Sequence, residues 1–163
     1  MLHPVLLLSL ACAVCAEDLL SLQAQVQERD GAWSFVVEGK TLLADGATIE
    51  IEVMLPREET YPDGETWKYE EPVDDGKATA IGGAFEAAIG RLARAPYSMT
   101  YLVRATFDPA RQQKDVLLDL DKRGIAVAEP LAKEVTIAYG TPADLERERL
   151  EADKSVVADF QAT

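Results

Sequence analysis

The sequence predicts an all-β fold, an antiparallel β-sandwich of seven to eight strands followed by a C-terminal α-helix. Apolar and polar residues alternate through most of the chain from Leu20 onward, which is the pattern of half-buried strands. Gly, Pro and Asp turn signals separate the alternating runs at short intervals. The end of the chain differs, because residues 143–161 lack Gly and Pro and are rich in helix formers.

The first two alternating runs predict a β-hairpin with a defined register. They are separated by Asp30-Gly31, a two-residue hairpin signal. If this pair forms the turn, Val26 faces Phe35 and Ala24 faces Val37. Apolar residues then meet on one face of the pair, as a half-buried antiparallel pair requires.

Six further segments complete the predicted sandwich. A turn at Asp45-Gly46 precedes a strand at 49–55, where Ile49, Ile51, Val53 and Leu55 share a face. The remaining segments, in chain order, are a possible short strand at 67–69, a strand at 85–89, the longest strand at 97–107, and two short apolar runs at 115–121 and 133–140.

The longest predicted strand, 97–107, has one apolar face and one polar face. Its odd-numbered residues, Tyr97 to Phe107, are expected to pack in the core against Ile49, Ile51, Phe85 and Ile89. Ser98, Thr100, Arg104 and Thr106 form the polar exterior, which Leu102 interrupts. Leu102 and Arg104 are therefore the candidate partner-binding residues on this strand.

The C-terminal segment 141–163 predicts a helix with a defined start. Thr141 is a candidate N-cap, Pro142 stands at the first helical position and Asp144 is an acid at the third. The apolar residues of the helix form a loose stripe: Leu145, Leu150, Val156, Val157 and Phe160. Such a helix either lies against the sandwich or frays in solvent; alternatively, it docks a partner or forms a homodimer.

Residues 1–16 predict a secretory signal peptide, cleaved after Ala16. An apolar run too short to span a membrane ends in small residues before Glu17-Asp18. The chain is then secreted or periplasmic, with a sandwich domain at 17–140 and no transmembrane segment once processed. The alternatives are a lipid anchor at Cys12 and a buried N-terminal strand or helix.

Removing residues 1–16 leaves a chain without cysteine or histidine, and the whole sequence lacks asparagine. Cysteine nucleophiles, disulfides, thiolate or imidazole metal sites and Ser-His-Asp triads are all excluded. The net charge of −13, from 29 acidic and 16 basic residues, disfavours phosphate backbones as partners. We therefore expect no nucleic-acid partner.

The acidic segment 57–76 is the most distinctive local feature of the sequence. It holds eight acids and two basic residues, interleaved with Tyr61, Trp67 and Tyr69. We interpret it as a solvated, mobile loop in which Trp67 and Tyr69 cap an edge of the core. Two binding alternatives stay open. The aromatic residues suit a carbohydrate, and Asp63, Glu65, Asp74 and Asp75 offer oxygen ligands for calcium.

A second calcium-like spacing, "DLDKRG" at 119–124, is equally well explained as a hairpin turn with Gly124. A pair of carboxylates could in principle also run a small hydrolase. No acidic pair in the sequence has a distinctive context, however, and so small a sandwich rarely encloses a deep pocket. We expect a non-enzyme.

Two stretches resemble bacterial exported immunoglobulin-like domains. They are "VVEGKTLLADGATIEIEVML", residues 36–55, and "FEAAIGRLARAPYSMTYLVRATFDPARQQ", residues 85–113. The likeness covers residues 20–139 as a pattern of strands and turns, with Ala44 where the family turn has proline. The resemblance implies an immunoglobulin-like sandwich acting as an extracytoplasmic binding, adhesion or assembly module, often without a catalytic site. We expect no cofactor. Its partner would be a protein or another cell-surface component.

Overall fold

The computed structural model describes residues 19–148 and 150, and these fold mainly as antiparallel strands. The strands are β1 (Gln23–Arg29), β2 (Ala32–Lys40), β3 (Thr48–Thr60), β4 (Thr66–Thr79), β5 (Ala84–Leu92), β6 (Thr100–Phe107) and β7 (Leu131–Ala138). A 3₁₀ turn (Pro109–Arg111) and helix α1 (Lys114–Lys122) connect β6 to β7. Seven strands in the described part fall within the predicted range.

The strands form two antiparallel sheets that share one core. The order is β1-β2-β5 in the three-stranded sheet and β4-β3-β6-β7 in the four-stranded sheet. Their inner faces supply the largest fully buried side chains, among them Phe35 from β2, Ile49, Ile51 and Val53 from β3, and Val103 and Phe107 from β6. Across the core, the rings of Phe35 and Tyr101 meet edge to face at 5.0 Å.

The first hairpin is confirmed in its register. Val26 pairs with Phe35 and Ala24 pairs with Val37. Asp30 and Gly31 have φ of 53° and 73°, the left-handed conformations that a two-residue type I′ turn requires. Local turn chemistry and apolar alternation therefore agree on one pairing.

The segment 115–121 is helix α1, and its prediction as a strand is wrong. Val116 and Leu120 are four residues apart, lie on one helical face and are buried. A strand would have buried Leu118 as well, yet that side chain is 44% exposed. Gly124, in the stretch that we interpreted as a hairpin turn, follows the helix with φ of 71° and so terminates it.

Strand β6 confirms the apolar face of the longest predicted strand, with two corrections at its start. Tyr101, Val103, Ala105 and Phe107 are buried, in the same core cluster as Ile49, Ile51, Phe85 and Ile89. The strand begins at Thr100 rather than at Tyr97, whose side chain is 56% exposed. Ser98, predicted on the polar exterior, is buried, and Glu148 accepts hydrogen bonds from its backbone N–H and its hydroxyl, at 2.8 and 3.1 Å.

The start of the C-terminal helix is confirmed, with helical residues at 142–148. The Thr141 hydroxyl accepts from the Asp144 N–H at 3.2 Å, and the Asp144 carboxylate accepts from the Thr141 N–H at 3.0 Å. This is a capping box, which satisfies donors that the first helical turn leaves free. Of the five apolar residues on which the dimer prediction rests, Leu145 and Leu150 are exposed, and Val156, Val157 and Phe160 lie outside the described residues.

The predicted signal peptide, the alternative anchor at Cys12 and the cleavage position after Ala16 also lie outside the described residues. The described chain begins with Leu19 and Leu20, each 3% exposed, and Leu20 forms a β-bridge with Thr41. Among the residues that the structure describes, no helix combines the length and apolar character needed to cross a membrane.

Candidate functional site

The candidate site is a two-stranded extension of the four-stranded sheet, formed by residues 55–71 and called the arm below. Strand β3 pairs with β6 only as far as Met54–Leu102, but it continues to pair with β4 from Leu55–Glu71 to Thr60–Thr66. Six residue pairs of extended chain span about 20 Å. Residues 58–73 are all exposed, so the arm projects from the body of the sandwich.

The prediction of a loop over 57–76 is therefore wrong for most of its length. Only residues 61–65 form a turn between the two strands. The Gly64 N–H donates to the Tyr61 carbonyl at 2.9 Å, and the Glu65 N–H donates to the Asp63 carboxylate at 3.0 Å. Proline at the second turn position and aspartate before glycine favour this geometry. The acidic run is thus held as a hairpin.

Trp67 and Tyr69 lie on one face of the arm, as their spacing predicts, but they do not cap the core. Trp67 is 62% exposed and Tyr69 is 42% exposed. They pair with Glu59 and Arg57, which belong to the same alternating set as the core residues Ile51 and Val53 of β3. The interior face of the four-stranded sheet therefore continues along the arm without a covering layer.

Polar side chains of the arm are paired with one another across its two strands. Arg57 contacts Glu71 at 2.7 Å and Lys68 contacts Glu58 at 3.1 Å. The Tyr69 hydroxyl donates to Glu59 at 2.7 Å, and this hydrogen bond raises the pKa of Tyr69 above its ordinary value. Cross-strand pairs of this kind stabilise a ribbon that buries little apolar surface.

Arg104 connects the base of the arm to the rest of the four-stranded sheet. The two sets of predicted binding residues, those on β6 and those in the acidic segment, are therefore in contact through this side chain. Its guanidinium contacts Glu134 on β7 at 2.6 Å, Glu70 on β4 at 3.1 Å and Glu52 on β3 at 3.8 Å. The hydrogen bond to Glu134 raises the pKa of Arg104 further. Arg104 is therefore a strut that positions the arm, because its donors already engage carboxylates of the chain itself.

Leu102, predicted as a lone apolar residue on the outer face, has an apolar neighbour. It pairs with Met54, which is 6% exposed even though it lies on the outer face of β3. A guanidinium nitrogen of Arg104 lies 3.7 Å from the Met54 sulfur and helps to cover it. Leu102 is half-buried in this small outer cluster.

The four candidate calcium ligands are not brought together. Asp63 and Glu65 lie at the tip of the arm, whereas Asp74 and Asp75 lie toward the far end of β4, about 30 Å away along the strand. One oxygen of Asp63 accepts from Glu65 and one oxygen of Asp74 accepts from Asp75. Within residues 19–148 and 150, no three His, Cys, Asp or Glu side chains are grouped closely enough to hold a metal ion.

Two prolines limit how the arm can be recognised. Pro56 follows the last β3–β6 pair by two residues, and Pro72 stands next to a bulge where Val73 is left over between the Val53–Asp74 and Met54–Pro72 pairs. Neither proline offers a backbone N–H. Addition of a strand along the base of the arm is therefore disfavoured, and recognition through side chains on the aromatic face is favoured.

No protein-family model matches the chain, and no curated protein matches its sequence. The site is consequently defined by geometry. Sequence reasoning found the aromatic residues and Arg104 but missed Glu59 and Glu70, which orient Tyr69 and anchor the base of the arm. Their only sequence signal was their place in a run of acids, which does not reveal a cross-strand partner.

Proposed function

We propose that the chain is an exported, non-catalytic binding module of immunoglobulin-like type, which mediates protein interaction at or outside the cell envelope through the arm. The observation that carries this proposal is the arm itself. A two-stranded hairpin buries little and is marginal on its own. A projecting ribbon with exposed tryptophan and tyrosine rings is the kind of surface that binds partners.

The strand order supports the immunoglobulin-like part of the proposal. First, second and fifth strands form one sheet, while third, sixth and seventh lie together in the other. Immunoglobulin-like sandwiches divide their strands in this way, here with the fourth strand paired to the third. Tyr101, near the start of the sixth strand, donates its hydroxyl to the Tyr97 carbonyl at 2.8 Å. This contact has the form of the tyrosine corner of such domains.

The chemistry of the described residues supports a non-catalytic role. Beyond residue 16 the sequence has no histidine or cysteine to act as a base or nucleophile. Two carboxyl groups with shifted pKa values, Glu50 and Asp144, are both shifted downward, by Arg111 and by Thr141 respectively. A general acid needs the opposite shift. The acids of the arm lie on an exposed ribbon rather than in a cleft.

Export is supported by the N-terminal pattern of the sequence. The described part of the sandwich core begins at Leu19, directly after the pair Glu17-Asp18 that follows the proposed cleavage position. Cleavage after Ala16 would therefore leave the described core intact. Mass determination of the mature chain tests this step, since an N-terminus other than Glu17 would contradict it.

Site-specific photocross-linking tests the binding role of the arm. A photoreactive amino acid replaces Trp67 or Tyr69, with Ile81, which is 71% exposed outside the arm, as the matched control. We expect a discrete protein adduct from positions 67 and 69 and none from 81. Equal labelling at all three positions, or adducts with no common protein, would count against the proposal.

A shortened variant shows whether the arm serves the fold instead. Replacing residues 56–70 by Asn-Gly keeps the Leu55–Glu71 pair as the end of the hairpin. Because residues 58–73 are exposed, we expect the variant to fold with a melting temperature within a few degrees of the parent. It should also give no adduct when the photoreactive amino acid replaces the asparagine of the new turn. A collapse of the fold would assign the arm a structural role.

A further inference from the structure

We propose that the aromatic face of the arm binds a cationic segment of a partner protein, with a lysine or arginine side chain over Trp67. This inference rests on the proposed binding role of the arm and names the chemistry of the partner. It starts from the uncovered face that Trp67, Tyr69 and Glu59 share. The charge around that face then decides which occupant fits.

Trp67 has acidic residues as neighbours. Glu59 stands directly across the strand pair from Trp67, and side chains in directly opposed positions have Cβ atoms about 5 Å apart. Glu65 precedes Trp67 by two residues, in the turn at the tip of the arm. A cation over the indole would therefore be attracted by the ring face and by carboxylates next to it.

The internal cations of the arm do not occupy this position. Arg57 is engaged with Glu71 and Lys68 with Glu58. Among the described residues, no lysine or arginine lies within ion-pair distance of Glu59, Asp63 or Glu65. The tip of the arm thus combines an exposed ring with negative charge that the described chain leaves uncompensated.

Tyr97 illustrates the contrast elsewhere in the molecule. It is also an exposed aromatic residue, but the Arg94 guanidinium lies 5.7 Å from its ring centroid. That ring already has a cation from its own chain, whereas Trp67 has none among the described residues. Tyr97 is therefore a matched control for Trp67.

Charge also disfavours a second copy of the chain as the occupant. Residues 57–76 hold eight acids and two basic residues, a net charge of −6, and the whole chain carries −13. Two such arms would repel each other at moderate ionic strength. A partner segment rich in lysine or arginine gains both the attraction and the faster, salt-dependent association that complementary charge provides.

Peptide titration tests the proposal. The sequence has two tryptophans, so a Trp33→Phe background makes Trp67 the single fluorescence reporter. The probes are ten-residue lysine-rich and arginine-rich peptides, a neutral Gly-Ser-Gln peptide and a cello-oligosaccharide. We expect saturable binding of the cationic peptides, weakened at least tenfold between 50 and 500 mM salt, with no comparable response to the neutral peptide or the sugar.

Variants locate the binding on the arm. Calorimetry, which needs no tryptophan reporter, should show that Trp67→Ala weakens the cationic peptides about fivefold or more and that Glu59→Gln weakens them about threefold. The controls Tyr97→Ala and Glu86→Gln, which lies in the other sheet, should change the dissociation constant less than twofold.

Each outcome decides between the proposals. Equal binding by the arm-shortened variant means a non-specific response to the overall charge and overturns the cationic-segment proposal. If only the sugar binds, the cationic-segment proposal is wrong and the arm is a carbohydrate-binding surface. If position 67 cross-links a protein but cationic peptides do not bind, the binding role of the arm stands and the proposed partner chemistry is wrong.

Discussion

Replacing Tyr101 by phenylalanine removes one hydroxyl and leaves the buried ring in place. The ring keeps its edge-to-face contact with Phe35, 5.0 Å between centroids, and its position in the core at 2% exposure. What is lost is the 2.8 Å hydrogen bond to the Tyr97 carbonyl. A net hydrogen bond contributes about 1 kcal/mol, and the carbonyl left without its donor raises the expected cost to about 1–2 kcal/mol at pH 7.

The size of this effect depends on pH. Burial raises the pKa of Tyr101 from 10.0 to about 12. The folded protein therefore keeps the neutral hydroxyl over a range in which the unfolded chain releases the proton. The stabilisation from this difference is complete below pH 10 and is lost as the pH rises toward 12. Two pKa units correspond to about 2.7 kcal/mol, so the advantage of wild type over Tyr101→Phe should vanish near pH 11.

Urea unfolding followed by far-ultraviolet circular dichroism measures this difference at pH 7, 9, 10 and 11. Other titrating groups are common to both proteins, so their effects cancel when the two free energies of unfolding are subtracted. Tyr97→Phe is the control, because its ring is exposed and its backbone carbonyl is retained. If the difference between wild type and Tyr101→Phe stays constant from pH 7 to 11, Tyr101 is not the buried donor that this argument requires.

Three further changes test the packing, the strut and the helix cap. Gly39→Ala places a methyl group against the Ser21 carbonyl oxygen and the Phe85 ring, so chemical unfolding should show a loss of about 3 kcal/mol; a neutral result would contradict this packing. Arg104→Met leaves three carboxylates without their shared cation. It should lower the free energy of unfolding by about 1–2 kcal/mol, and by less in 1 M NaCl. A loss that does not depend on salt would assign the effect to packing instead. Thr141→Ala should speed amide exchange in residues 143–148 about fivefold. Hydrogen bonds from Thr141 lower the pKa of Asp144 below its ordinary value of 3.8. The same amides should therefore lose protection as the pH falls below 3.8 and through that lowered pKa. Unchanged exchange in either experiment would count against the capping box.

The elements that could be predicted from sequence are those fixed by local chemistry. The Asp30-Gly31 turn and the alternation on both sides of it admit one apolar register, and the structure has that register. The Thr141 cap is equally local, since its partner Asp144 is three residues away. In each case the interacting groups are close in sequence, so their geometry follows from backbone preferences.

The elements that escaped prediction depend on distant partners. The run 115–121 alternates but also has Val116 and Leu120 at helical spacing, and only contact with the core decides for the helix. The arm consists of acids and turn formers with low strand propensity. Pairs such as Arg57–Glu71, fourteen residues apart, hold it as a ribbon. Their pairing follows from the register of β3 with β4, which the composition of the segment does not specify.

Residue types in the sequence therefore indicate which side chains form the candidate site, but the predicted loop conformation of this segment is wrong. Exposed aromatic residues among carboxylates, here Tyr61, Trp67 and Tyr69, are distinctive whether the segment is a loop or a hairpin. The common face of Trp67 and Tyr69 depends on the strand, whereas Tyr61 lies in the turn. Arg104 was noticed as a basic residue on a polar face, but its role as a strut depends on Glu70, 34 residues earlier in the chain.

The prolines at the base of the arm have a consequence for the behaviour of the protein at high concentration. A long ribbon with bare edges is a template onto which further chains can add, the first step toward fibrils. Pro56 and Pro72 withhold backbone donors where such addition would begin, and the acids of the arm make stacked copies repel each other. Edge-to-edge addition of further chains at the base of the arm is therefore disfavoured at high protein concentration.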